Sequence, residues 1–173
     1  MIREFTMRLT KFLPVCVFGI STYMVVAPIA DAATVYGASF DYRKAEPAIE
    51  QYPGMTPDQI KAHCKNENLG GMEMATCAQF SFEAANATLA KAVEENEKEI
   101  AKNDMEIRKN HNPVALPYFK RAQINWQNYR DNQCYANVYE IGEASIRFID
   151  FYACMEKITN SRIDELSTPD ARQ

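Results

Sequence analysis

The sequence predicts an all-α protein: a small up-down-up bundle of three helices, stapled by two disulfides and preceded by an irregular N-terminal leader. Three observations support this fold class. Apolar residues recur at intervals of three, four and seven in three long stretches, which is the spacing of one helix face. Turn-forming residues separate these stretches, and no alternating β pattern competes with them. Four cysteines remain after a predicted export signal, and an even number in an exported chain favours disulfides.

Residues 1–32 have the composition of a signal peptide. Three basic residues lie among the first eleven, and an apolar run over residues 12–29 follows them. The run ends at Ala30-Asp31-Ala32, where the alanines fit the small-residue positions that signal peptidase requires. Proline, glycine and hydroxyl residues interrupt the run, which disfavours a retained transmembrane helix. We therefore expect cleavage after Ala32, a periplasmic or secreted mature chain, and no stable membrane insertion after cleavage.

The mature chain is predicted to be acidic. Residues 1–32 hold three of the 19 basic and two of the 23 acidic residues, which leaves residues 33–173 with a formal net charge of −5. Nucleic acid and anionic lipid both require clustered Lys and Arg, so we expect neither as a partner. Opposite charge instead favours a basic protein partner.

Residues 33–63 form the leader, in which prolines and glycines occur among scattered aromatic residues. One short helix is expected within it. Thr56 is a suitable N-cap and Pro57 a suitable first residue, and this helix would end near the first mature cysteine. The helical domain itself is expected over residues 64–168, with a short tail over residues 169–173.

The first long helix is predicted from about Met72 to about Arg108. Its apolar stripe consists of Phe82, Ala85, Leu89, Ala92, Val93, Ile100 and Ile107. The opposite face is charged, and Glu94 and Lys98 stand four residues apart in the order that favours an ion pair. We expect the many carboxylates of this helix to be exposed to solvent.

The second helix is predicted from Leu116 to about Tyr139, and the third over residues 148–166. A break over residues 110–113 separates the first helix from the second, and Gly142 ends the second. The apolar face of the second helix is expected to contain Phe119, Ala122, Trp126 and Tyr129. An adjoining face carries Gln123, Gln127, Arg130 and Cys134. Short turns between three helices favour an up-down-up arrangement.

Helix geometry favours two local disulfides among the four cysteines Cys64, Cys77, Cys134 and Cys154. The turn at Gly142 would place Cys134 beside Cys154. Cys64 and Cys77 would then close the loop that precedes the first long helix. The main alternative joins Cys77 to Cys134, because the start of the first long helix also lies near the end of the second.

Several motifs along the chain carry a resemblance to a known family. They are Cys64, M-E-M-A-T-C at residues 72–77, A-Q-I-N-W-Q-N-Y-R-D-N-Q-C at residues 122–134, Cys154, and I-T-N-S-R-I-D-E-L at residues 158–166. In this order they resemble the motifs of the lysozyme inhibitor LprI-like N-terminal domain family. The chain departs from the family pattern at Ala75, where an asparagine is usual, and in a loose version of the glycine-rich turn at residues 142–145.

The resemblance implies a secreted or periplasmic helical domain and, for the founding type of the family, inhibition of lysozyme. The residues that it marks are Gln123, Trp126, Tyr129, Arg130, Asp131 and Arg162. Trp, Tyr and Arg supply much of the binding energy at protein interfaces. However, Trp126 and Tyr129 fall on the predicted apolar face, and an arginine four residues from the indole could lie over it. We therefore interpret this motif as mainly structural.

No metal site, cofactor or catalytic centre is expected. His63, Met72 and Met74 could join Cys64 and Cys77 in a copper site, but disulfide formation would consume both thiolates. The two histidines lie far apart in sequence, and no activated nucleophile stands near a base. We therefore expect that the protein is not an enzyme.

Two functions fit these observations. The first is a binding module that blocks a cell-wall glycosidase such as a basic lysozyme, by presenting a cationic loop to the paired carboxylates of its cleft. The turn that contains Arg108, Lys109 and His111 is the candidate inhibitory loop. The alternative is a structural or interaction protein of the cell envelope, without inhibitory activity, that docks through the leader or the Glu-rich face.

Overall fold

A computed structural model describes residues 40–142, 144 and 146–168. Within this part of the chain all regular secondary structure is helical. Two short 3₁₀ helices, Tyr42–Lys44 and Ala48–Gln51, precede four α-helices: α1 (Pro57–His63), α2 (Gly71–Lys109), α3 (Leu116–Ile141) and α4 (Arg147–Ser167). The predicted all-α class is confirmed, whereas the predicted signal peptide and tail lie outside the described residues. None of the described helices is both long and apolar enough to cross a membrane.

Local sequence signals set the helix boundaries. Thr56 is the N-cap of α1, as expected. Its side chain accepts from the Gln59 backbone N–H, and the Gln59 side chain accepts from the Thr56 N–H, which completes a capping box. Gly142 ends α3 with a φ of 74°, a left-handed conformation that glycine adopts at little cost. His111 follows the end of α2 with a φ of 59°. The three long helices thus match their predicted ranges to within a few residues.

Pairwise contacts define an up-down-up order. Arg130 of α3 bonds Asn86 of α2, and Lys120 pairs with Glu97, so α3 runs antiparallel to α2. The ring of Tyr152 lies 6.1 Å from that of Phe82, and the Leu166 carbonyl accepts from the Asn96 amide at 3.4 Å. Both of these α4 residues are 70 positions after their partners in α2, so the two helices run parallel. The predicted bundle topology is therefore confirmed.

The two local disulfides are present. Cys64 and Cys77 join the end of α1 to α2, with their Cα atoms 5.5 Å apart. Cys134 and Cys154 join α3 to α4, with their Cα atoms 5.6 Å apart. The alternative pairing of Cys77 with Cys134 is wrong, because Cys77 lies beside α1 and Cys134 faces α4.

The main core lies at the end of the bundle that contains the second disulfide. It is formed by Phe82, Cys134, Tyr135, Val138, Phe151, Tyr152 and Met155. Phe40 and Tyr42 of the leader pack against this core, and a second, smaller cluster joins Ala48, Ile60 and Phe80. The described part of the leader, although irregular as expected, is thus packed into the domain.

The buried face of α3 differs from the expected one. Tyr129 is 58% exposed, and Ala122 is also exposed, although both were expected on the apolar face. The adjoining face is buried instead, with Gln123, Arg130 and Cys134 all inside. The periodicity argument predicted the wrong face because it assigns apolar side chains to the interior. Gln123 and Arg130 are polar, but each is buried because it has a hydrogen-bonding partner on another helix.

Candidate functional site

Arg130 lies at the centre of a buried polar network. Only 3% of its side chain is exposed. Its Nε donates to Asp131, one terminal nitrogen donates to Asn86 and Thr159, and the other donates to Tyr42 and Asp131, at distances from 2.9 to 3.3 Å. These five contacts use all five N–H groups that a guanidinium carries. Arg130 therefore has no donor left for an external partner.

Two aromatic rings flank the Arg130 guanidinium. Its central carbon lies 5.3 Å from the ring centre of Phe82 and 5.1 Å from that of Trp126. Both distances are within the range of cation–π attraction, as expected for the indole. Together with its hydrogen bonds, these contacts tie the leader, α2, α3 and α4 to one side chain. Trp126, Arg130 and Asp131 therefore hold one another in place inside the domain, and their structural role stays a prediction.

Tyr42 connects the leader to this network. Its hydroxyl donates to Asp131 Oδ2 at 2.9 Å and accepts from Arg130 at 3.1 Å. Burial of the phenol, together with the nearby Asp131 carboxylate, raises the pKa of Tyr42 to about 12. The neutral hydroxyl is therefore the form that the folded chain stabilises. Tyr42 and Asn86 lie outside the family motif, so sequence reasoning did not single them out.

Arg162 and Gln123 form a second, weaker polar contact between α3 and α4. Arg162 Nε donates to the Gln123 Oε1 at 3.3 Å, and its terminal nitrogen donates to Glu165 at 2.6 Å. The Gln123 Nε2 is buried without a hydrogen-bond partner in the described part of the chain. Arg162 and Gln123 thus join α3 to α4 by a side-chain hydrogen bond, a contact that belongs to the packing of the two helices.

Tyr129 is the motif residue whose position leaves it open to a partner. It lies on the outer face of α3, with Tyr118 three helical turns earlier on the same face and 75% exposed. Tyrosines combine a large apolar ring with a hydroxyl and are enriched in protein interfaces. The outer face of α3 is therefore a candidate contact surface.

Residues 101–121 form a projecting arm made of the end of α2, the turn after it, and the start of α3. Its geometry follows from helix length. α4 ends at Ser167, one residue after the Leu166 that contacts Asn96, whereas α2 continues to Lys109. At 1.5 Å per residue, α2 extends about 18 Å past the end of the α4 helix.

The arm is cationic on an otherwise acidic domain. It contains the five basic residues Lys102, Arg108, Lys109, Lys120 and Arg121. Only two carboxylates, Asp104 and Glu106, lie within it, and Asp104 is buried. The arm thus has a formal charge of +3 within a chain whose residues 33–173 total −5. A partner that approaches its tip meets positive charge.

Asp104 holds the arm together, and it corrects the expectation that the carboxylates of this helix are exposed. It is 4% exposed, and its two oxygens accept from the backbone N–H groups of Ala115 and Leu116, each at 2.9 Å. These are orphan N–H groups at the start of α3, where Ala115 has no capping side chain. Asp104 therefore caps α3 from across the turn.

The three residues of the candidate inhibitory loop come together at the tip of the arm. Arg108, Lys109 and His111 are all exposed. Lys109 donates to Glu106 at 2.8 Å, an exposed ion pair that contributes little to stability. The arm tip therefore presents an exposed, cationic surface to solvent.

The side chains that could serve as copper ligands by their chemistry have other partners in the structure. Cys64 and Cys77 are oxidised, and His63 Nε2 lies 2.8 Å from Glu73 Oε1. Among the described residues no group of three or more His, Cys, Asp or Glu side chains could hold a metal ion. That no cofactor is required stays a prediction.

Comparisons with known proteins agree with the motifs. The profile of the lysozyme inhibitor LprI family matches residues 64–166. An uncharacterized protein of Rhizobium meliloti (strain 1021) is 30% identical over 127 residues, which cover 69% of this chain and 82% of that protein. No solved structure matches this chain. The family match contains α2, α3, the Arg130 motif and both disulfides, but not the leader.

Proposed function

Because this chain belongs to the lysozyme inhibitor LprI family, we propose that it is an exported protein that binds and blocks a basic lysozyme-type cell-wall glycosidase. The two disulfides indicate an oxidising compartment outside the cytoplasm. The finer placement, a periplasmic or secreted chain released by cleavage after Ala32, is part of the proposal. It rests on the composition of residues 1–32.

The observation that carries this proposal is the cationic arm on an acidic domain. The negative charge of the domain attracts a basic enzyme and accelerates encounter. Glycosidases of this class use paired carboxylates in a cleft, and these attract the positive charge at the arm tip. Each helix is about 10 Å wide, so the two helices of the arm, side by side, are too broad to enter a narrow cleft. The turn with Arg108, Lys109 and His111 is the part that would enter.

The arm assignment is tested by a variant that removes the positive charges of the arm tip without disturbing its turn. Arg108→Ala and Lys109→Ala are combined with His111→Asn, because asparagine tolerates the left-handed conformation of position 111 better than alanine does. The matched control combines Lys65→Ala and Lys91→Ala, two exposed lysines outside the arm that change the net charge by the same amount. We expect the arm variant to raise the inhibition constant by about 100-fold, since interface hot-spot residues contribute about 2 kcal/mol or more.

Equal inhibition by the arm variant and the wild type would remove the arm from the proposal. Loss of inhibition in both the arm variant and the control would indicate an effect of net charge alone. Circular dichroism of each variant checks that the helices remain intact.

A second candidate function is an interaction protein of the cell envelope that does not inhibit an enzyme. The exposed Tyr129 on α3 favours it, since this tyrosine lies on the outer face of the helix and outside the arm. Binding to an envelope protein that is lost in Tyr129→Ala, combined with no inhibition of any lysozyme, would support this function over the first.

A further inference from the structure

A polar groove lies where the leader meets α2 and α3. Its volume is about 490 Å³, within the range of small-ligand sites. The groove is separate from the arm tip and is not needed for the proposed inhibition. Its base is formed by Tyr42, Arg130 and Asp131, which the hydrogen bonds of the buried network hold in fixed positions.

The walls of the groove present free hydrogen-bonding groups. The side-chain amides of Gln127 and Asn128 are exposed and have no hydrogen-bond partner among the described residues. On the opposite wall, the Asn86 oxygen accepts from Arg130 while its NH₂ group is unused within the same residues. Each amide carries both a donor and an acceptor. The groove therefore offers several paired donors and acceptors above a rigid base.

The charges of the groove balance. Arg43 and Arg130 are matched by Glu83 and Asp131, and Arg130 has all its donors in use. A balanced lining gives no long-range preference for an anion or a cation, so a neutral ligand fits it best. The rings of Tyr42 and Phe82 add an apolar component. This combination suits a ligand that has both polar groups and an apolar face.

We propose that this groove binds a neutral saccharide that bears N-acetyl groups. The acetamido group has one N–H donor and one carbonyl acceptor. The side-chain amides of Gln127 and Asn128 can accept from the N–H and donate to the carbonyl. Sugar hydroxyls can donate to the remaining lone pairs of the Asp131 carboxylate, and a sugar ring has an apolar face for Tyr42. A peptide backbone offers amides but no hydroxyls, so it uses less of the lining.

The test is a nuclear magnetic resonance titration of the oxidised, isotope-labelled exported chain with the trisaccharide of N-acetylglucosamine. We expect shifts in the side-chain NH₂ signals of Gln127 and Asn128. The signals of Asn125 and Asn132, exposed on the same helix outside the groove, should not move. Asn128→Ala should weaken binding about tenfold, the loss expected for one or two hydrogen bonds, and Asn132→Ala should leave it unchanged.

Two comparisons decide the ligand class. A glucose trisaccharide that lacks acetamido groups should bind about tenfold more weakly, and a short neutral peptide should not shift the groove signals. Equal binding of the two trisaccharides, stronger binding of the peptide, or no shift at Gln127 and Asn128 would overturn the proposal. Lysozyme is absent from the titration, so these outcomes are independent of inhibition.

Discussion

Replacing Arg130 with methionine tests whether the most distinctive motif of the chain is structural. Methionine keeps much of the length of the side chain between Phe82 and Trp126 but removes all five donors. Thr159, which is fully buried, and the Asp131 carboxylate, which is 22% exposed, then lose a charged partner. Arg130 also contacts the leader through Tyr42, so the substitution should loosen the leader as well.

The expected cost is about 3 kcal/mol of unfolding free energy. Breaking a buried ion pair costs about 3–5 kcal/mol. The lower limit applies, because Asp131 keeps its bond from Tyr42 and some contact with water. Arg130→Lys should cost about 1–2 kcal/mol, since an ammonium keeps the charge but cannot reproduce the planar fork of the guanidinium.

Urea unfolding of the oxidised chain, followed by circular dichroism, gives these free energies. Arg121→Met is the control, because Arg121 is exposed and makes no hydrogen bond, ion pair or ring contact within the described residues. It should change the unfolding free energy by less than about 0.5 kcal/mol. An Arg130→Met variant that loses less than about 1 kcal/mol would refute the structural interpretation, and would return this motif to the candidate contact residues.

The Asp104 cap, the leader and the buried tyrosine hydroxyls can each be tested by stability measurements. Asp104→Ala should lower the unfolding free energy by about 1–2 kcal/mol, the contribution of one helix cap. It should also speed amide hydrogen exchange mainly within residues 101–121. Exchange that rises evenly across the chain would contradict this prediction. A chain that begins at residue 64 lacks Phe40 and Tyr42 and should not unfold cooperatively in calorimetry, whereas a native-like transition would show that the leader is dispensable. Burial raises the pKa of Tyr42 to about 12 and also raises the pKa of Tyr135 and Tyr152, so the stability contributed by these neutral hydroxyls should be fully present below pH 10 and be lost as pH rises from there toward 12. Urea unfolding that gives constant stability across this interval would contradict the raised pKa.

Signals that act over a few residues predicted much of the fold. The apolar stripe of α2, the N-cap at Thr56 and the break at Gly142 each depend on nearby residues, so the helix ranges could be predicted well. The disulfide between Cys134 and Cys154 followed from the same turn, because two antiparallel helices joined by a short turn bring such positions together. Local spacing was sufficient for these features.

The buried face of α3 could not be predicted in the same way. Arg130 is buried because Tyr42 and Asn86, 88 and 44 residues away in the chain, accept from its guanidinium. No pattern within α3 indicates partners at that distance. A prediction from polarity therefore assigned Tyr129 to the buried face and Arg130 to an adjoining face. In the structure Tyr129 is exposed and Arg130 is buried.

The arm and its cap left signals that sequence reasoning can use. The predicted first helix is much longer than the predicted third helix, and in an up-down-up bundle that difference requires one end to project. Likewise, α3 begins after Ala115, which cannot cap a helix with its side chain. A helix start without a capping residue indicates a cap from elsewhere, which here is Asp104.

The most direct test of the proposed function is inhibition of a basic lysozyme by the oxidised chain, with a reduced and alkylated sample measured in parallel. We expect dose-dependent loss of lysozyme activity with the oxidised chain and none with the alkylated one, since removing both disulfides destabilises the bundle. Full lysozyme activity in the presence of a large excess of the oxidised, folded chain would contradict inhibition of this enzyme.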